Sequence, residues 1–241
     1  MMDIYENLRQ QALELCRREN LLEEKIKVKA RTLSTEEAIG NPEGQDFPMQ
    51  KGNERLMQAE FRGARGQAFT DQFGNFEGTL EEIFSMPLEN NFRRAVFVAT
   101  LNAVMRSLGR IKGTVHCRDE EPKTCADALA DHIRTRYGAV KITQAGFQPR
   151  MIQALAPVFP LRVLDLDPGN IGTEKFGVTV EGPEKAAEAI TWADLLLVTG
   201  TVLANGSIDT FLTGKPVIFY GTTISGAAAL MGWDRFCDQS A

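Results

Sequence analysis

The chain has 241 residues, of which 43% are hydrophobic and 24% charged, with a formal net charge of −5 and a pI near 5.3. This composition excludes a disordered chain, and the acidic balance argues against a surface for nucleic acid or anionic membranes, since both need clustered Lys and Arg. No apolar run approaches the roughly 20 residues that span a bilayer, and the start of the chain is unlike a signal peptide, so we expect a cytoplasmic protein that handles a small molecule or a metal ion.

The first half of the chain predicts an α+β domain, which we place at residues 1–110. An amphipathic helix comes first, and alternating apolar and polar residues then predict half-buried strands of antiparallel style. Thr79 and Glu82 have the spacing of a capping box at the start of a short helix. The expected elements are a helix over 3–19, strands over 25–33, 56–62 and 66–70, a loop over 40–53, a short helix from 79 and a longer helix over 92–108.

From residue 111 onward, strands and helices alternate, which is the signature of parallel βα units. We therefore expect a second domain at residues 111–241, built on a small open sheet of the α/β class. The expected elements are strands over 140–144, 161–166, 195–199 and 217–220, and helices over 149–159, 184–192 and 208–212.

The densest group of reactive side chains lies between residues 116 and 125. It contains two thiols, one imidazole, three carboxylates and two cations, in the order His116-Cys117-Arg118-Asp119-Glu120-Glu121-Pro122-Lys123-Thr124-Cys125. Thr124 and Asp127 have the spacing of a capping box, which predicts that a helix opens at Cys125. The dipole of that helix, aided by the neighbouring cations and opposed by the carboxylates, would favour the thiolate of Cys125.

A turn at Pro122 would bring the sulfur of Cys117 close to that of Cys125, and the pair could then bind one soft ion such as zinc. Because such an ion usually takes four ligands, His116 is a candidate third ligand, provided that the strand leading to it has ended. Two other interpretations stay open. The segment could be a solvated loop with one buried thiol, or the two cysteines could form a reversible disulfide that acts as a redox switch.

Polar and glycine-rich segments follow the strands of the second half, where open parallel sheets bind their ligands. Asp165 and Asp167 lie about 20 residues after Gly146, the separation at which dinucleotide-binding folds place a ribose-binding carboxylate. The Gly-x-Gly-x-x-Gly fingerprint is broken, which disfavours a nucleotide-type cofactor, although these segments could bind an anion or serve only as turns and helix caps. The candidate cofactor-binding residues are Gly146, Asp165, Asp167, Thr199, Gly200, Thr201, Asn205, Gly206 and Thr222.

Asn102 stands inside an otherwise apolar helical segment. A buried amide is costly unless its polar atoms find partners, so we predict that this side chain makes structural hydrogen bonds.

Five segments of the chain resemble one protein family, and the likeness extends over nearly the whole sequence. The segments are Glu36-Glu37-Ala38-Ile39-Gly40-Asn41-Pro42, Gly66-Gln67-Ala68-Phe69-Thr70-Asp71, Leu101-Asn102-Ala103-Val104, the segment 116–125, and Thr199-Gly200-Thr201-Val202-Leu203-Ala204-Asn205-Gly206. They resemble the bacterial and archaeal family of unknown function labelled "putative heavy-metal chelation". The resemblance implies an enolase-N-terminal-like domain joined to a Rossmann-like domain. It also implies a site in the cleft between them, formed by Asn41 and its loop, the segment 117–125, and the strand ends at Gly146, Asp165 and Gly200.

These observations lead to one main hypothesis and two alternatives. The main hypothesis is a two-domain protein that binds a heavy or transition metal, or a small molecule carrying one, through Cys117 and Cys125 in the cleft. One alternative is an enzyme that holds a nucleotide-like anionic cofactor, with Asp119, Glu120 or Cys125 as acid, base or nucleophile. The other is the thiol switch. The enolase-like half could also offer a surface for a homodimer.

Overall fold

The computed structural model describes residues 3–29, 55–117, 121–237 and 240. The helices are α1 (Ile4–Arg18), α2 (Leu80–Ser85), α3 (Asn91–Ser107), α4 (Glu121–Tyr137), α5 (Pro149–Leu155), α6 (Ala186–Trp192), α7 (Thr201–Asn205) and α8 (Ser225–Met231). The strands are β1 (Lys25–Lys29), β2 (Arg55–Phe61), β3 (Ala64–Thr70), β4 (Phe76–Thr79), β5 (Ile142–Ala145), β6 (Leu161–Leu164), β7 (Glu174–Lys175), β8 (Val178–Glu181), β9 (Leu195–Thr199), β10 (Val217–Tyr220) and β11 (Arg235–Phe236). The predicted loop over 40–53, Asn41 within it, and the residues Arg118, Asp119 and Glu120 lie outside the described residues.

The first sheet is antiparallel, with the strand order β3-β2-β1-β4. The alternation seen in the sequence buries Ile26 and Val28 on the face that meets the helices. Helix α2 begins at the predicted capping box, where Thr79 Oγ1 accepts a hydrogen bond from Glu82 N at 3.1 Å and Glu82 Oε2 accepts one from Thr79 N at 2.8 Å. The antiparallel arrangement and the capping box are confirmed.

The second sheet has the order β11-β10-β9-β5-β6-β8-β7. Its strands are parallel from β11 to β8, and β7 pairs with β8 in the antiparallel direction at one edge. Strand β9 lies inside the sheet, and its residues 195–198 are all buried, as the continuous apolar run in the sequence requires. Parallel strands place their carboxyl ends at one edge, which assembles the loops that follow them.

Helix α3 joins the two sheets. Its positions 95–105 are all buried, and it packs against β2 and β3 on one side and against α7 and α8 on the other. One continuous hydrophobic cluster therefore contains side chains from the first half, such as Phe84 and Phe97, together with Leu196 and Phe219 of the parallel sheet. The prediction of a mixed α/β fold is confirmed.

The structure also contains elements that the sequence patterns do not predict. These are the strands β4, β7, β8 and β11 and the helices α7 and α8. The parallel sheet is consequently larger than the small sheet that we predicted.

None of the helices in the described part of the chain combines the length and apolarity needed to cross a bilayer.

Candidate functional site

A cavity of about 510 Å³ opens where the carboxyl ends of the parallel strands approach the end of β3. Its walls include Phe69 at the end of β3, Cys125 from α4, and the turns that follow β5, β6, β9 and β10. The volume lies within the range of about 300–1,000 Å³ that is usual for small-molecule sites. This edge of the sheet is where open α/β folds bind ligands.

The cavity collects most of the candidate cofactor-binding residues. Of those nine, all except Gly206 line it. Gly206 instead ends α7 with a left-handed backbone (φ +85°), and the site of its missing Cβ faces the guanidinium of Arg94 at 3.2 Å. Gly206 therefore belongs to the helix end and not to the cavity wall.

His116, Cys117 and Cys125 line this same cavity. Residues 115–117 are not part of a strand, so the condition set for His116 as a candidate third ligand is met. The backbone N–H of His116 donates to Gln67 Oε1 at 2.8 Å, and its ring meets the edge of the Phe69 ring at a centroid distance of 5.2 Å. The imidazole Nδ1 lies 2.5 Å from the carbonyl oxygen of Cys117.

The prediction that a helix opens at Cys125 is wrong. Helix α4 begins at Glu121, so Cys125 lies in its second turn and Pro122 lies in its first turn instead of forming a turn between the two sulfurs. Proline suits that position because it has no N–H to pair and its φ is already helical, and an acidic residue is favoured at the positive end of the helix. Since the effect of the helix dipole decays within the first turn, it does not supply the expected stabilisation of the Cys125 thiolate.

Burial strongly raises the pKa of the Cys117 thiol, and negative charge on Cys237 and Cys125 raises it further. The expected thiolate character therefore does not extend to Cys117, whose thiol holds its proton at neutral pH. None of the four cysteines, all within the described residues, forms a disulfide.

Cys237 is a third thiol in the cavity wall, and the sequence patterns missed it. It follows β11, whose position is fixed by Arg235: Nε donates to the Gly221 carbonyl at 2.9 Å and Nη2 to the Gly113 carbonyl at 2.7 Å. A two-residue strand carries no periodic signal. Had β11 been recognised, the rule for parallel strand ends would have placed Cys237 at this edge.

Asp165 connects the loops that follow β5 and β6. Its Oδ2 accepts from Phe147 N at 2.7 Å, and its Oδ1 accepts from Asp167 N at 2.8 Å and Asn170 Nδ2 at 3.1 Å. A ribose hydroxyl at this carboxylate would have to compete with three protein donors. Asp165 therefore shapes the cavity edge, whatever ligand the cavity holds.

Asn102 makes four hydrogen bonds from a fully buried position, which confirms its predicted structural role. Its Nδ2 donates to the carbonyls of Gln67, Thr222 and Thr223 at 2.9, 3.1 and 3.1 Å, and its Oδ1 accepts from Gly226 N at 2.6 Å. Thr222 and Thr223 line the cavity, so Asn102 holds part of its wall in place.

The ligand set for a metal ion is incomplete among the side chains described. Within that part of the chain, no three His, Cys, Asp or Glu residues are arranged to hold one ion. A soft divalent ion that prefers four ligands would therefore need donor atoms besides those that the two cysteines supply.

Part of the chain matches a known protein family. Residues 128–231 match the model of the family DUF364, described as "Putative heavy-metal chelation". The resemblance to this heavy-metal chelation family, inferred above from sequence segments, is confirmed. The matched region runs from within α4 to the end of α8 and so includes Asp165 and Thr222 of the cavity wall.

Two solved structures of DUF364 proteins of unknown function are similar to this chain. One, from Pyrococcus horikoshii, has a TM-score of 0.54 at 15% identity, over 92% of this chain and 80% of that one. The other, from Desulfitobacterium hafniense, has a TM-score of 0.48 at 14% identity, over 73% of this chain and 72% of that one. The similarity to the Pyrococcus horikoshii protein, at 15% identity, shows a shared fold and nothing about function. A search of curated proteins finds no match.

Proposed function

We propose that this protein binds a heavy or transition metal ion carried by a small organic ligand, with the thiolates of Cys117 and Cys125 as ligands of the ion. The observation that carries the proposal is that both cysteines line one cavity of about 510 Å³. Thiolate is a soft ligand that favours ions such as Zn²⁺ and Cu⁺ over Mg²⁺ or Ca²⁺. The description of the matched family, which names heavy metals, supports the same class of ligand.

The size of the cavity supports a metal complex over a bare ion. A cavity of this volume is the size of a small-molecule site, whereas a dedicated ion site is closed around its ligands. The described side chains offer no set of three donors for one ion. An organic ligand that brings its own donor atoms would complete the coordination and fill the remaining space.

The nucleotide alternative has less support from the cavity wall. Among the described residues that line the cavity, none is Lys or Arg, whereas phosphate groups are usually bound by such cations. The turn after β5 has a single glycine at Gly146, and Asp165 is already bonded to three donors. We therefore rank the enzyme with a nucleotide-like cofactor second and the Cys117–Cys125 switch third.

The proposal is tested by titrating the reduced protein with the 1:1 zinc complex of 2,2′-bipyridine, following heat by calorimetry and bound metal by native mass spectrometry. We expect one zinc per chain in the wild type. Cys117→Ser and Cys125→Ser should each weaken binding by about a hundredfold or more, because even residues that only orient metal ligands contribute about 10- to 100-fold.

Cys16→Ala is the matched control. Cys16 lies in α1, is fully buried away from the cavity, and has its pKa raised to about 12, mainly by burial. Its removal should leave zinc binding unchanged. If the Cys117→Ser, Cys125→Ser double variant binds the complex as tightly as wild type, the proposal is wrong.

We further propose that the chain divides near residue 110 into an enolase-N-terminal-like and a Rossmann-like part. The antiparallel sheet precedes this point and the parallel sheet follows it, which supports the division. The hydrophobic cluster shared by both halves implies that they fold together. The cytoplasmic location and the homodimer stay predictions.

A further inference from the structure

The charge of the cavity wall is unbalanced. Three carboxylates line it, those of Asp71, Asp165 and Asp167, while the part of the wall that the structure describes contains no Lys or Arg. The side chains that face a ligand there are otherwise neutral hydroxyls, amides and apolar groups, together with His116 and the thiols. An anionic ligand would thus meet like charge without a permanently charged cation to compensate it.

Metal binding does not remove this imbalance. The thiols of Cys117 and Cys125 must lose their protons to act as ligands, and Cys117 is buried. A divalent ion neutralises the two thiolates, but it leaves the three carboxylates uncompensated. Asp71 is exposed and Asp165 and Asp167 are half-buried, and like charges placed close together repel, so the carrier molecule should bring no negative charge of its own.

The apolar residues of the cavity wall indicate the polarity of the organic ligand that would carry the metal. Phe69, Phe147 and Phe211 line the cavity, and so does Leu166, an apolar side chain that is 59% exposed. Covering this surface with an apolar ligand removes it from water, which favours binding. Aromatic and heteroaromatic ligands also suit walls of this kind.

From these contacts we infer that the cavity selects metal complexes of positive net charge whose organic ligand is apolar, and discriminates against carriers that bear carboxylate or phosphate groups. This inference rests on the proposed function, because it specifies the ligand of the same site. It goes further by naming the charge and polarity of the carrier.

The test compares two zinc complexes with the same chelating atoms, those of 2,2′-bipyridine and of 2,2′-bipyridine-4,4′-dicarboxylate. The two carboxylates of the second ligand lie far from the metal and change only the outer charge. We expect the unsubstituted complex to bind at least about tenfold more tightly, measured as the ratio of the two dissociation constants by calorimetry at fixed ionic strength.

Asp71→Asn and Asp167→Asn examine the charge directly. Asp71 Oδ1 accepts from Asn91 Nδ2 at 2.6 Å and Asp167 Oδ1 from Gly169 N at 2.8 Å, and asparagine retains an acceptor oxygen for each bond. Each variant should weaken the cationic complex about two- to fivefold and should not weaken the carboxylated one. Glu174→Gln, an equal change of net charge at an exposed residue outside the cavity, should alter neither.

The outcomes separate the two proposals. If the carboxylated complex binds as tightly as the cationic one, and both need Cys117 and Cys125, the inference about charge is overturned while the proposed function stands. If neither complex binds in a way that depends on the cysteines, the proposed function is overturned and the inference with it.

Discussion

Replacing Asn102 with leucine is expected to lower the free energy of unfolding by about 3–5 kcal/mol. Leucine fills similar space but can neither accept from Gly226 N nor donate to the three carbonyls that Asn102 now bonds. A buried backbone group that loses its partner costs roughly 1–3 kcal/mol, although the Thr222 carbonyl keeps two other donors, Ser225 Oγ at 2.7 Å and Ser225 N at 3.2 Å. Equilibrium unfolding in urea measures the difference.

Thr100→Val is the matched control for Asn102→Leu. Thr100 lies two residues earlier on α3, is also fully buried, and its Oγ1 has no hydrogen-bond partner among the residues that the structure describes. Valine has nearly the same shape, so this change should be neutral or stabilise the protein by up to about 1 kcal/mol. Loss of stability in both variants to the same extent would show that helix packing, and not the Asn102 hydrogen bonds, sets the effect.

Asn102→Leu should also weaken ligand binding in the cavity. Asn102 ties β3, through Gln67, to the turn after β10, through Thr222 and Thr223, and to the start of α8, through Gly226. Those two threonines form part of the cavity wall. A variant that remains folded should therefore also bind the zinc complex more weakly, even though Asn102 itself does not line the cavity.

Much of the fold could be predicted because buried elements leave strong patterns. The strands 195–199 and 217–220 are continuous apolar runs between turn residues, and the structure places both at the predicted bounds. Helix α3 differs from its prediction by one residue at each end. In contrast, β7 and β11 have two residues each, too few for alternation to show.

The start of α4 shows how two local signals can compete. Thr124 and Asp127 carry a capping-box pattern, but Glu121 and Pro122 also favour a first helical turn, and the structure uses the earlier start. Sequence spacing alone could not decide between them. The error mattered for function, because it supported a helix-dipole effect at Cys125 that the observed position does not provide.

The features of the candidate site that follow from sheet topology could be predicted from the sequence. The features that depend on contacts between distant segments could not. Parallel strands bring Gly146, Asp165 and Thr199 to one edge of the sheet, which the βα pattern already implies. The three donors to Asp165, the burial that raises the pKa of Cys117, and the approach of Cys237 all depend on packing between distant segments. No local pattern reports such contacts.

Gly66→Ala is expected to destabilise the protein by about 3 kcal/mol or more, an effect in the upper range of overpacked cores. A Cβ at Gly66 would lie 2.2 Å from Ala103 N and 2.4 Å from Ala99 O, both backbone atoms of α3 that no side-chain rotation can move. The helix would have to move away from β3. Thermal unfolding followed by circular dichroism measures the loss.

Gly169→Ala is the control for Gly66→Ala, because the Cβ added there meets only the side chain of Asp167 at 3.2 Å, on an exposed turn. It should change stability by less than about 0.5 kcal/mol. An unchanged melting temperature for Gly66→Ala would mean that α3 does not approach β3 so closely.

Because Gln67 is the next residue and its carbonyl bonds Asn102, a displaced α3 would also strain the hydrogen bonds behind the cavity wall. Gly66→Ala should therefore weaken binding of the zinc complex as well as the fold, and Gly169→Ala serves as the control for stability alone.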